Sequence, residues 1–121
     1  NVQSNKLNNP VLLDVIEPPA QWMVQIWPNP MTATSFTVIK VLSRYAINLS
    51  RFTAHIMIFD AVGNKVLEVP MLNRSRLFEY TWNGRSQSGR LIGSGTYALF
   101  IVLKENGVQT WKTRVNVGVH R

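Results

Sequence analysis

The sequence predicts an all-β protein, an antiparallel β-sandwich of about seven strands, and three observations carry that reading. Apolar segments are short and separated by turn residues at roughly even spacing. No stretch repeats apolar residues at helical spacing. The chain has 121 residues, 45% of them hydrophobic and 16% charged, which suits one compact domain with a core of its own.

Each element has a local reason. Trp22–Trp27 is apolar and stops at Pro28-Asn29-Pro30, since proline fixes φ and lacks a donor. Ser35–Leu42 is β-branched and apolar at nearly every position, which predicts a central strand buried on both faces. Phe52–Phe59 is a further strand, closed by the turn Asp60-Ala61-Val62-Gly63-Asn64, and Lys65–Val69 returns as a hairpin. In Leu77–Asn83, Phe78, Tyr80 and Trp82 share one face while Glu79, Thr81 and Asn83 share the other. Thr96–Lys104 is nearly all apolar, so burial on both faces is again expected. Asn106-Gly107 predicts a tight hairpin to the last strand, where Trp111, Val115, Val117 and Val119 point one way. Thr110, Lys112, Arg114 and Asn116 point the other. Seven such strands match an immunoglobulin-like sandwich, assigned to residues 22–121. Residues 1–21, with Asn8-Asn9-Pro10 and Pro18-Pro19, read as a linker in which Val11–Ile16 is apolar enough to pair as an edge strand.

Several kinds of chemistry are absent from the sequence. There is no cysteine, so disulfides, thiolate zinc sites and cysteine nucleophiles are excluded. The longest apolar run, Tyr97 to Leu103, is too short to span a bilayer, and no signal-peptide pattern opens the chain. The first residue is Asn1 and not Met, so a processed product or excised piece is expected. His55 and His120 stand alone, Asp14 and Glu17 fall in the linker, and Asp60 belongs in a turn. Gly84–Gly89 lacks the spacing and following helix of a nucleophile elbow, and Gly89–Gly95 lacks the ending of a phosphate loop. Asn48-Leu49-Ser50 and Asn73-Arg74-Ser75 match the glycan acceptor pattern, which matters only in a eukaryotic secretory setting. A non-enzyme without metal or cofactor is the expectation.

The net charge is +7 and unevenly spread. Residues 21–121 hold twelve bases and four acids, or +8. Arg74, Arg76, Arg85 and Arg90 fall in one stretch opposed only by Glu79, a candidate surface for an anionic glycan, lipopolysaccharide or acidic protein. Nucleic acid is not expected, because the aromatic residues sit at core positions instead of interleaving with the bases.

One stretch is more specific: Trp82-Asn83-Gly84, then Ser88-Gly89-Arg90, then Ser94-Gly95-Thr96-Tyr97. Trp82 suits a large core plug, Gly84 a positive φ, and Gly89 and Gly95 turns back into the sheet. Tyr97 can bury its ring while its hydroxyl bonds back to the loop. This arrangement resembles the Ig-like domain of flagellar hook-capping proteins and related modules of bacterial surface proteins, as does Ile58–Asn64 upstream. Trp27-Pro28-Asn29-Pro30 and the Val-rich Val115–Arg121 resemble the start and end of C-terminal sorting domains of the type IX secretion system. Asn64 departs from the Arg or Lys usual there, and residues 70–76 lengthen a connection. The resemblance implies a non-catalytic module recognised by translocon proteins and directing an attached cargo through the periplasm to the surface or medium of a Gram-negative bacterium. Lys112 and Arg114, in the last hairpin, would then meet the partner. The alternative is a structural or subunit-docking module of the envelope, which needs only the fold and an exposed strand edge.

Overall fold

The computed structural model describes residues 21–32, 35–45 and 47–121. Nine strands follow in chain order: β1 Trp22–Trp27, β2 Met31–Thr32, β3 Thr37–Ser43, β4 Phe52–Phe59, β5 Lys65–Pro70, β6 Leu72–Asn73, β7 Leu77–Trp82, β8 Gly95–Glu105 and β9 Val108–His120. They form two sheets, ordered β1-β3-β7-β6 and β2-β9-β8-β4-β5, which pack as a sandwich.

The expected seven strands are all present, and β2 and β6 raise the total to nine. Each of the two extra strands has two residues, too few for any periodicity to register in sequence. The sandwich also departs from purely antiparallel pairing. Chain direction puts β2 parallel to β9, through Met31↔Val119 and Thr32↔His120. The predicted strand at Val11–Ile16 lies outside the described residues. Gln21, placed with the linker in sequence, is tied to the domain: its carbonyl accepts a 2.6 Å bond from the Arg44 N–H.

The core follows the period-two rule. Ile39 and Val41 of β3, Phe78 and Trp82 of β7, Ile56 and Ile58 of β4, and Leu99, Ile101 and Leu103 of β8 are sealed between the sheets. Burial of each such side chain contributes roughly 1.5–3 kcal/mol. Trp22 joins the sheets at one end, meeting Phe52 edge-on at 5.4 Å between ring centroids and Trp111 at 6.4 Å. Thr37 is buried too, and its hydroxyl donates to the Pro28 carbonyl at 2.7 Å, so no polar group there lacks a partner.

Burial on both faces of β3 and β8 is a prediction that the structure corrects. A two-layer sandwich covers each sheet on one side only, so Val38 and Leu42 of β3 and Ala98 and Phe100 of β8 are half-buried. Lateral neighbours supply what cover the outer face has. Phe59 meets Phe100 edge-on at 5.6 Å, and the Arg114 guanidinium lies 5.8 Å from the Phe100 centroid. Val102 on the same face is 5% exposed.

The turns obey their sequences. Asp60 Oδ1 accepts from the N–H groups of Val62 and Asn64, and those bonds, chiefly Asn64's, lower the carboxyl pKa. Asn106 (φ 50°) and Gly107 (φ 83°) both take positive φ, as a two-residue hairpin turn between right-twisted strands requires. At the other end of β9, the Asn29 amide lies against the strand. Its Nδ2 donates to the Asn116 carbonyl at 3.1 Å, and its Oδ1 accepts from the Gly118 N–H at 3.0 Å. Position 118 is tight, because a Cβ there would stand 3.0 Å from Pro30 Cβ and the proline would have to give way.

Two glycine substitutions should separate turn geometry from composition. Gly107→Ala should cost about 1 kcal/mol, whereas Gly93→Ala, with open space around it and no positive φ, should be close to neutral. Urea unfolding of both variants measures this, and a costlier Gly93→Ala would contradict the turn assignment.

Candidate functional site

Trp82 ends β7 with its ring wholly buried. Indole carries one donor that burial would strand, and the loop answers it: Trp82 Nε1 donates to the Arg85 carbonyl at 3.0 Å. Tyr97, two residues into β8, crosses from the opposite sheet to meet Trp82 edge-on, at 5.9 Å and 73°. Its hydroxyl donates to the Gly93 carbonyl at 2.8 Å. Both sequence expectations for these residues hold: the indole plugs the core and the phenol bonds back to the loop. Burial is the main cause that raises the Tyr97 pKa; the nearby Asp60 charge adds to it and Arg121 opposes it.

Between Trp82 and Tyr97 the chain forms a self-bonded loop. Ser86 N–H donates to Arg90 O at 2.8 Å, Gly89 N–H to Ser86 O at 2.9 Å, and Arg85 and Leu91 form an isolated bridge. Gln87 at the tip reaches β5: its N–H donates to Val66 O, and its Oε1 accepts from the Glu68 N–H, both at 2.8 Å. Together with Asp60 and Lys65, the loop residues Ser86, Ser88 and Arg90 line an open polar cleft of about 590 Å³.

The last residue of the sequence closes this loop. Arg121 Nε donates to Ile92 O at 2.6 Å and its Nη2 to Gly84 O at 3.1 Å, while its backbone N–H donates to Ser94 Oγ at 2.8 Å. Gly84 has φ 74°, and a Cβ on it would lie 3.1 Å from both Arg121 Nη2 and Met31 Cε. Glycine suits position 84 for its conformation, and any side chain there would press on the ends of Arg121 and Met31. In sequence, Gly84 is marked by its expected φ, while Arg121 figures only as the end of the Val-rich segment Val115–Arg121. Contacts spanning 29 and 37 residues leave no local pattern to find. Gln87 and Asn29 were missed for the same reason.

The four candidate arginines do not form one surface. Arg74 and Arg76 precede β7 and Arg85 and Arg90 follow it, so about 20 Å of strand separates the pairs. Arg74 faces Glu79 at 3.6 Å, and Arg85 donates to Gly89 O at 3.0 Å, inside its own loop. Arg90 lines the cleft. Proximity in sequence misled because a strand intervenes. Lys112 and Arg114 are brought together, exposed on the outer face of β9. Asn83 and Gly95 flank the loop, and Gly89 (φ 86°) makes its inner turn. Among the described residues no group of three or more His, Asp and Glu side chains is placed to hold a metal ion. His55 lies 3.9 Å from Glu68, and His120 is exposed. Among the same residues no helix is long and apolar enough to cross a membrane.

No family model matches the sequence, and none of the curated proteins does. Among solved structures, the chain is similar to dimeric latent PorU from Porphyromonas gingivalis, with a TM-score of 0.66 and 23% identity over 90% of this chain. The match spans about 10% of PorU's length, so the likeness is to one part of a larger protein and is one of fold. Looser matches are an FMN-binding β-glucuronidase from Faecalibacterium prausnitzii L2-6, at TM-score 0.48 and 18% identity over 82% of this chain and 15% of that one. A lipoprotein from Bacteroides thetaiotaomicron matches at 0.44 and 8%, over 90% of this chain and 85% of that one.

Two variants test the assembly of the loop. Arg121→Ala should destabilise by about 1–2 kcal/mol, the worth of charged hydrogen bonds to backbone carbonyls. Gly84→Ala should cost less in that background than in the wild type, because the two share one contact; urea melts of the double-mutant cycle measure it. Tyr97→Phe should cost about 1 kcal/mol near neutral pH. Since folding raises the Tyr97 pKa above 10.0, its contribution is complete below pH 10 and falls away as pH rises through the folded value. The variant should therefore lose less stability than the wild type between neutral and strongly alkaline pH. An equal loss would assign the alkaline weakness to other groups, Tyr80 first.

Proposed function

We propose that this chain is a non-catalytic, Ig-like module that serves as a sorting and translocation signal for type IX secretion of an attached cargo protein. One observation carries the reading. The residues of the Trp-to-Tyr motif and the basic end of β9, two separate parts of the sequence resemblance, meet in one packed unit at Gly84, Ile92 and Arg121. A partner that reads the end of this domain would thereby read a folded state, since Arg121 reaches its carbonyls only when both sheets have assembled. Recognition falls to the exposed part of the last hairpin, with Lys112 and Arg114 its charged members. Trp82, Gly84 and Tyr97 build the frame. A fold that recurs as a tenth of a larger protein also suits an appended module. The expected place of action is the surface or surroundings of a Gram-negative bacterium, reached through the periplasm.

A second reading, a subunit-docking module of the envelope, is favoured by the open edge of β9. One experiment separates the two. The 121-residue chain is fused to the C-terminus of a periplasmically exported fluorescent reporter in a bacterium with a type IX system, beside a Tyr97→Asp misfolding control. Reporter at the surface or in the medium, lost in the control, is the expected outcome. Folded reporter retained in the periplasm would overturn the sorting role and leave the docking module.

A further inference from the structure

The backbone of β9 has an open stretch whose position can be read from its neighbours. In an antiparallel pair, facing residues alternate between those that bond each other and those whose N–H and C=O point away. The Asn29 side chain takes Asn116 O and Gly118 N–H from the side opposite β8. The pairs Ala98↔Asn116 and Thr96↔Gly118 are therefore of the non-bonded kind. Register between β8 and β9 is unbroken from Gly95↔Val119 to Leu103↔Trp111. Phe100↔Arg114 and Val102↔Lys112 consequently belong to the same kind, and the backbones of Lys112 and Arg114 face outward. Beyond β2, which covers only Val119 and His120, no strand lies along this edge among the described residues.

The open stretch runs from Lys112 to the N–H of Asn116, about 14 Å of strand. A register shift at Leu103/Lys104 bounds it on one side and the Asn29 amide on the other. Its two faces differ. Lys112, Arg114 and Asn116 stand exposed on the outer face, while Trp111, Thr113 and Val115 are half-buried toward the other sheet. No Asp or Glu occurs from residue 106 to the end. Asp60, which lines a shallow pocket with Phe100 and Arg114, gives its Oδ1 to the Val62 and Asn64 N–H groups. Glu68 is engaged by Lys65 at 2.6 Å, and Glu105 pairs with Arg51.

We propose that this edge is an acceptor for an extended partner segment in which acidic and apolar residues alternate, added as a strand beside β9. The proposal deepens the reading of the last hairpin as a recognition surface. Main-chain bonds to Lys112 and Arg114 hold the added strand. Its acidic side chains lie next to the Lys112 and Arg114 side chains on the outer face, and its apolar ones lie next to Trp111, Thr113 and Val115. Charge also rules on the occupant. A second copy pairing antiparallel about Thr113 would set Lys112 against Arg114 twice, and like charges directly opposite destabilise a sheet. An acidic strand turns the same positions into attraction.

The test uses the full 121-residue chain and an acetylated, amidated seven-residue peptide alternating Glu and Val. Amide hydrogen exchange by NMR reads the Lys112 and Arg114 N–H groups directly, whatever the outcome of any secretion assay. The expected result is fast exchange in the free protein and at least about fivefold slowing with saturating peptide. The Lys112→Glu/Arg114→Glu variant should bind the peptide about tenfold more weakly, and a Lys–Val peptide should give no slowing. Three outcomes would overturn the proposal. They are no protection at millimolar peptide, equal protection by the Lys–Val peptide, and protection already present without peptide. If that last protection grew with protein concentration, a second copy would be the occupant. A positive peptide result beside a failed secretion fusion would leave the edge in place and remove the sorting role.

Discussion

The contact on which this domain depends is the edge-to-face meeting of Trp82 and Tyr97 across the two sheets. Each ring comes from a different layer, and each carries one polar atom that burial would strand without a partner. The loop between them supplies both acceptors, Arg85 O for the indole and Gly93 O for the phenol. Loop conformation and sheet packing are thus one condition. The loop cannot adopt its bonds unless the rings meet edge to face, and the rings cannot be buried cheaply unless the loop presents its carbonyls. Arg121 then closes the assembly from the far end of the sequence, fixing Gly84 and Ile92 through their carbonyls.

How much of this was legible in the sequence depends on range. The strands at Trp22–Trp27 and Phe52–Phe59 are read to the residue, because apolar patterning and turn chemistry act within a few positions. Trp82, Gly84 and Tyr97 were equally readable, since each has a local cause. What escaped is non-local. The four arginines look like a cluster until a strand is placed between them. The apolar run of β8 looks buried on both faces until it is seen that Phe59 and Arg114 shield Phe100 from the side. The two-residue strands β2 and β6 exist only because neighbours position them, and no periodicity can announce two residues.

The long sheet also shows how unpaired backbone at its margins is managed. On β5, the edge closes with Pro70, which has no donor to offer, and Gln87 covers Val66 and Glu68. On β9, Asn29 performs the same service for Asn116 and Gly118. One residue with one donor and one acceptor imitates a short piece of strand at each margin: Asn29 with both atoms of its side-chain amide, Gln87 with its backbone N–H and its Oε1. These devices limit unwanted edge-to-edge association, and the stretch left without one is correspondingly conspicuous.

The close passage of Pro30 over Gly118 gives that limit a physical dimension. A Cβ on Gly118 would stand 3.0 Å from Pro30 Cβ, so the residues leading into β2 lie close against β9 in the place an added strand would need. Any strand that adds to this margin must end where those residues begin. The length of strand that can pair at this margin is thereby limited to a few residues. For a sheet that leaves part of one edge bare, the seat of Pro30 on β9 is a built-in ruler.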